Sequence, residues 1–134
     1  MITQKKVLVV DDDPVFKLIA RKLFEKSGDL FSVSFAENGR EAMDVLEHII
    51  AEDVEKMPDV ILLDIEMPIM NGWDFMERFI TLPPDLTKKI NVYTVSSSIA
   101  QEDKNRAASY PQIKAYITKP LTVEAIQTIA EAAA

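Results

Sequence analysis

The sequence predicts an α/β fold: a five-stranded parallel sheet, doubly wound as five βα units, with helices on both faces in a three-layer sandwich. Two observations carry that prediction. Short apolar runs recur along the chain, and amphipathic stretches with helical spacing fill the intervals between them. Apolar runs without alternation suit strands buried on both faces, as in a parallel sheet, and parallel neighbours require crossover connections such as helices.

The elements follow in order. Val7-Leu8-Val9-Val10 is an aliphatic run rich in β-branched residues and reads as the first strand. Asp13-Pro14 is a helix start, with a capping side chain followed by proline in the first turn. Phe16, Ile19, Ala20, Leu23 and Phe24 then form one apolar stripe. A weaker strand is placed at Phe31–Ala36. Ala42, Val45, Leu46, Ile49 and Ile50 make the second helical stripe, and Val60-Ile61-Leu62-Leu63 the third strand. A helix follows over about 71–80. The connection through Pro83-Pro84-Asp85-Leu86 reads as a surface loop, and Asn91-Val92-Tyr93-Thr94-Val95 as the fourth strand. A helix over 98–109 and a weaker strand over 114–118 complete the alternation. Val123, Ile126, Ile129 and Ala130 give the last stripe, and Ala132-Ala133-Ala134 reads as its helical end.

Composition bounds the function classes. The 134 residues fit one domain, 1–134, with its core at about 5–130, and leave no room for an output domain. The chain has no cysteine, which excludes disulfides, thiolate metal sites and cysteine nucleophiles and allows a reducing compartment. A formal net charge of −7 argues against direct DNA binding by phosphate neutralisation. The stretch from Met1 to Lys6 is followed by only four apolar residues before Asp11, too few for a signal peptide or a membrane span. The reading is therefore a cytoplasmic protein.

In open α/β sheets, ligands bind outside the carboxyl ends of the strands. Strand one ends in Asp11-Asp12-Asp13, strand three in Asp64, strand four in Ser96-Ser97-Ser98 and strand five in Lys119-Pro120. Each has a commonplace explanation: a helix cap, a loop acid, a turn serine, a surface lysine. One cap does not account for three acids, however, and adjacent carboxylates repel unless a cation compensates them. Clustered carboxylate oxygens without soft ligands favour Mg²⁺. A carboxylate beside such an ion can act as a nucleophile toward phosphorus, with metal and lysine neutralising the transferring group.

At these positions the chain resembles the receiver domains of bacterial two-component response regulators, stand-alone and CheY-like. Val7 to Asp12 resembles the first strand and acidic pair of that family. The stretch Asp64-Ile65-Glu66-Met67-Pro68-Ile69-Met70-Asn71-Gly72 is similar to its phosphorylation loop, D-x-x-M-P-x-M-x-G. The resemblance implies a flavodoxin-like sandwich in which Asp64 accepts a phosphoryl group from a histidine kinase or a His-phosphotransfer protein. It implies that Asp11, Asp12 and Asp64, with the Glu66 backbone carbonyl, surround Mg²⁺. It further implies that Lys119 contacts the phosphoryl oxygens, that the Lys119–Pro120 bond is cis, and that Ser96 and Tyr116 form the switch. Helix four, strand five and helix five would be the face that meets an unnamed downstream protein or, in a homodimer, a second copy.

The sequence departs from the family at a few points. Ser96 stands where threonine is more frequent, Glu66 introduces an acid two residues after Asp64, and the Pro83-Pro84 connection is slightly long. Three other readings compete with the receiver resemblance. A Mg²⁺-dependent phosphohydrolase with an aspartyl nucleophile usually carries D-x-D, whereas Glu66 occupies the third place here. A flavin or nucleotide binder would need a glycine-rich phosphate loop, and the three glycines are scattered. A degenerate scaffold is disfavoured by the intact set of acids, hydroxyl and lysine. A relay intermediate remains a variant of the receiver reading. His48, Trp73 and Tyr110 read as an exposed helix residue, a packed helix residue and loop packing.

Overall fold

The computed structural model describes residues 4–133; the opening Met1-Ile2-Thr3 and the closing Ala134 lie outside the described residues. The strands are β1 (Lys5–Val10), β2 (Phe31–Ala36), β3 (Val60–Leu63), β4 (Asn91–Ser96) and β5 (Ile113–Thr118). They form one parallel sheet in the order β2-β1-β3-β4-β5. The principal helices are α1 (Pro14–Glu25), α2 (Gly39–Glu52), α3 (Gly72–Phe79), α4 (Gln101–Ala108) and α5 (Val123–Ala133).

Burial explains why the strands differ in sequence. The central strands β1, β3 and β4 run through the core, and all four residues of β3 are buried. The edge strand β2 mixes buried and exposed positions and β5 has only half-buried and exposed ones, so their apolar patterns are broken. The sheet's alternation sends Val7, Val9, Leu62, Tyr93 and Val95 to one face, where Phe16, Ala20 and Phe24 of α1 and Ile126 and Ile129 of α5 cover them. Leu8, Val10, Ile61, Leu63 and Val92 face the other way, against Ala42, Met43 and Leu46 of α2 and Phe75, Met76 and Phe79 of α3. A smaller cluster of Ile65, Trp73 and Ala107 seats α4 beside α3.

Caps set the helix starts. Asp13 Oδ1 accepts from the Val15 N–H at 2.9 Å, Asn38 Oδ1 from Glu41 at 2.9 Å and Asn71 Oδ1 from Asp74 at 2.9 Å. The structure corrects one expectation. The Pro83-Pro84 connection is not an unstructured loop; Pro84–Thr87 forms a one-turn helix, with Pro84 in its first turn where a missing N–H costs nothing. No helix of the described residues is long and apolar enough to cross a membrane.

The strand order reverses direction between β1 and β3, since β2 lies on one side of β1 and β4 on the far side of β3. A crevice opens at that reversal, beyond the strands' carboxyl ends. Asp11 and Asp12 follow β1, and Asp64 follows β3.

Candidate functional site

Carboxylate oxygens of Asp11, Asp12 and Asp64 all lie within 4.8 Å of one another. Asp11 and Asp64 are buried and Asp12 is exposed, so the cluster has a dry floor and an open side. The last carbonyls of β1 and β2 hold the two buried acids in register: the Asp64 N–H donates to the Val10 carbonyl at 2.9 Å, and the Asp11 N–H to the Ala36 carbonyl at 3.1 Å. Asp11 Oδ1 also accepts from the Asp13 N–H at 2.8 Å. Asp13 itself turns outward to cap α1, and takes no part in the cluster.

Lys119 is the cation of the site. Its Nζ lies 2.9 Å from Asp11 Oδ2, 3.9 Å from Asp64 Oδ2 and 4.5 Å from the centre of the Phe16 ring. The Lys119–Pro120 bond is cis, and the Lys119 N–H donates to the Ser96 carbonyl at 2.8 Å. One ammonium against three carboxylates leaves the cluster negative. Burial, and then the charge of Asp11, push the Asp64 carboxyl up to about 7, against the opposing pull of Lys119 and the Glu66 and Ile65 backbone amides. An all-oxygen set with uncompensated negative charge fits a hard divalent cation. The cluster is thus capable of coordinating one.

Ser96, Tyr116 and Glu66, the other residues that the resemblance implies for the site, lie near the same edge. Ser96 is buried at the end of β4, and its Oγ accepts from the Ser98 N–H at 3.1 Å. Tyr116 on β5 is half-buried, and its hydroxyl donates to the Ser98 carbonyl at 2.8 Å. Its ring packs against the cluster of Ile65, Trp73 and Ala107. The Glu66 side chain is exposed, while its N–H donates to Asp64 Oδ1 at 3.4 Å. His48 is exposed on α2 and outside the site.

Gly72 explains itself in space. A Cβ there would stand 2.5 Å from the Asp64 carbonyl oxygen and 2.9 Å from Ile65 Cα, so only glycine lets α3 start this close to the acid-bearing loop. Gly39 does the same for α2, where a Cβ would lie 2.7 Å from the Met70 carbonyl.

Two features were not anticipated. Ser98 stands where the sequence suggests a turn or cap residue, and its hydroxyl also donates to Asp103 Oδ2 at 2.6 Å; no spacing rule links a loop serine to that acid. Trp73 is stacked on Tyr110 with ring centres 6.2 Å apart, and the Arg106 guanidinium lies 5.0 Å from the Trp73 ring. The Tyr110 hydroxyl donates to Glu77 at 2.6 Å; burial and then that carboxylate raise its pKa.

Residues 7–131 match the family model described as the response regulator receiver domain. This chain belongs to that family. The receiver is 36% identical over 131 residues to a protein-glutamate methylesterase/protein-glutamine glutaminase of Burkholderia thailandensis, covering 96% of this chain and 33% of that protein. The chain therefore spans about a third of the length of that curated relative. A two-component response regulator from Cytophaga hutchinsonii superposes with a TM-score of 0.88 at 24% identity, covering 98% of this chain and 97% of that one, a likeness of fold. A response regulator receiver protein from Dyadobacter fermentans superposes with a TM-score of 0.80 at 28% identity, covering 96% and 97%. The receiver is a phosphoacceptor domain, a switch that works through its own phosphorylation and dephosphorylation, and its three-acid cluster is consistent with the pocket such domains use.

Proposed function

We propose that Asp64 is the phosphoacceptor and that its donor is the phosphohistidine of a histidine kinase or a His-phosphotransfer protein. The observation that carries this reading is the convergence of the Asp11, Asp12 and Asp64 carboxylates within 4.8 Å, with Lys119 Nζ 3.9 Å from Asp64. An Asp64 carboxylate oxygen attacks phosphorus, the bond from phosphorus to the imidazole nitrogen breaks, and an aspartyl phosphate forms. Asp11, Asp12, Asp64 and the Glu66 carbonyl would hold Mg²⁺, which would neutralise charge on the transferring group.

The chain's own residues do the rest. Lys119 shifts from Asp11 toward the phosphoryl oxygens as negative charge arrives beside Asp64. Ser96 donates its hydroxyl to one of those oxygens. Tyr116 registers the change on β5, and the surface of α4, β5 and α5 presents it to a downstream protein. That coupling is a population shift, set by how much better the phosphorylated site fits one arrangement than the other.

Incubation with acetyl phosphate and Mg²⁺ should add the mass of one phosphoryl group to the wild-type chain and none to Asp64→Asn. Equal labelling of that variant would remove Asp64 from the role. Rapid turnover of phosphomonoesters without a retained label would replace the switch with a hydrolase.

A further inference from the structure

The connection from β4 to α4 is organised around Ser98, and every polar group of that residue is engaged. Its N–H donates to Ser96 Oγ at 3.1 Å. Its hydroxyl donates to Asp103 Oδ2 at 2.6 Å and accepts from the Ala100 N–H at 3.2 Å. Its carbonyl accepts from the Tyr116 hydroxyl at 2.8 Å. One residue thus joins the buried hydroxyl of β4, the aromatic residue of β5 and the first turn of α4.

Little else holds this segment. Ile99 beside it is 76% exposed, so packing does not define the loop. The residue at the N-cap of α4 is Ala100, which offers no capping side chain. Within α4 only Ala107 is buried, near the far end of the helix. The start of α4 is therefore held by polar contacts, and the shortest of them is the bond from Ser98 to the Asp103 carboxylate. A hydroxyl-to-carboxylate bond belongs to the stronger, charge-assisted class. Asp103 also lines the shallow groove shared with Glu66, Met67 and Trp73, beside the loop that carries Asp64.

The arrangement has a chemical consequence for Ser96. A serine hydroxyl has one proton to donate and two lone pairs to accept with. With one lone pair taken by the Ser98 N–H, the Ser96 hydroxyl is oriented with its proton free for an anionic oxygen. We propose that Asp103 is a positioning residue for phosphoryl transfer to Asp64. Its carboxylate holds Ser98, whose N–H sets Ser96 as a donor and whose carbonyl sets the Tyr116 hydroxyl. The proposal rests on Asp64 as the phosphoacceptor and deepens that reading. It makes Ser98 and Asp103 one unit, through which the chemistry at β4 reaches both α4 and β5.

The test compares wild type, Asp103→Ala, Asp103→Asn, Ser98→Ala and the double alanine variant. The rate of labelling by acetyl phosphate with Mg²⁺ is followed by intact mass. The Tyr116 environment is followed by the fluorine resonance of fluorotyrosine-labelled protein, assigned with Tyr116→Phe. Each single alanine variant should slow labelling about five-fold, the scale of one hydrogen bond. The double variant should be no slower than either single one, because the two residues act as a unit. Asp103→Asn retains an acceptor oxygen and should label within about two-fold of wild type, since the bond's acceptor survives while its charge does not. The phosphorylation-dependent shift of the Tyr116 resonance should persist in Asp103→Asn and vanish in the alanine variants. Wild-type rates and an unchanged Tyr116 shift in the alanine variants would overturn the proposal. So would additive losses, or an asparagine variant that behaves like alanine. A wild-type chain that takes no label, or an Asp64→Asn chain that does, would instead overturn the phosphoacceptor reading and this one with it.

Discussion

Asp64 is placed where its own charge is unwelcome. The side chain is buried beside the carboxylate of Asp11, and Lys119 is closer to Asp11 than to Asp64. Its carboxyl is raised from 3.8 to about 7, burial being the largest cause. Between those values the folded, metal-free chain binds more protons than the unfolded chain. The contribution of Asp64 to stability is therefore most favourable below about pH 4, falls as pH rises toward about 7, and levels off above. Asp64→Asn removes the penalty. It should raise the metal-free stability at pH 8 by about 1–3 kcal/mol, inside the ceiling of about 4 kcal/mol that such a shift allows. At pH 4 the same substitution should change little. Urea denaturation of both proteins at the two pH values checks this, and a stability gain independent of pH would refute it. The same arithmetic bears on function, because only the ionised carboxylate attacks phosphorus. A divalent cation held by the acid cluster would lower the cost of ionisation and so offset the burial of Asp64.

The loop between β3 and α3 shows what sequence can and cannot carry. The D-x-x-M-P-x-M-x-G spacing made the loop legible, and the structure supplies the reason for its glycine: a Cβ at Gly72 would meet Asp64 and Ile65 backbone at 2.5 and 2.9 Å. Gly72→Ala should therefore cost about 1–3 kcal/mol, the range of a forced backbone shift. Ile69 in the same loop could not be foreseen. It is β-branched and 77% exposed, yet it holds φ at 69°, a conformation that disfavours branched side chains. Ile69→Asn should stabilise the fold by about 1 kcal/mol, because asparagine tolerates that region. Thermal melts of the two variants should move in opposite directions; a destabilised Ile69→Asn would mean that the isoleucine side chain makes a contribution its exposure does not reveal. The elements as a whole were legible where burial is complete. β1 and β3 announce themselves by unbroken apolar runs and β4 by a run interrupted only at Thr94, whereas β2 and β5 are edge strands with mixed patterns. The one-turn helix at Pro84–Thr87 was read as a loop because one turn is too short to show a periodicity. The acid cluster was legible through its placement at strand ends. The link from Ser98 to Asp103 was not, since it depends on how a loop folds back on the helix that follows.

At the scale of the whole molecule, the fold brings together acids that are distant in sequence and leaves their repulsion only partly compensated by Lys119. Asp11 and Asp12 end β1, Asp64 ends β3, and these two strands are hydrogen-bonded neighbours at the centre of the sheet. The unfolded chain keeps Asp64 more than fifty residues from the pair, so it has no comparable site. A cation held by all three acids binds the folded state alone and must stabilise it by mass action, by about 2.7 kcal/mol at one hundred times its dissociation constant. Mg²⁺ at millimolar concentration should therefore raise the melting temperature by several degrees, a shift of the size expected for a domain of this length. Asp12 is the informative position for the control, because its side chain is exposed and its removal leaves no hole in the core. Asp12→Ala should fold as well as wild type and lose most of the Mg²⁺-dependent shift. Asp64→Asn should also lose much of the shift, but from a higher metal-free baseline, since it has already shed the buried charge. An equal Mg²⁺ shift in wild type and Asp12→Ala would place the cation elsewhere on a chain of net charge −7, and would separate general charge screening from the site.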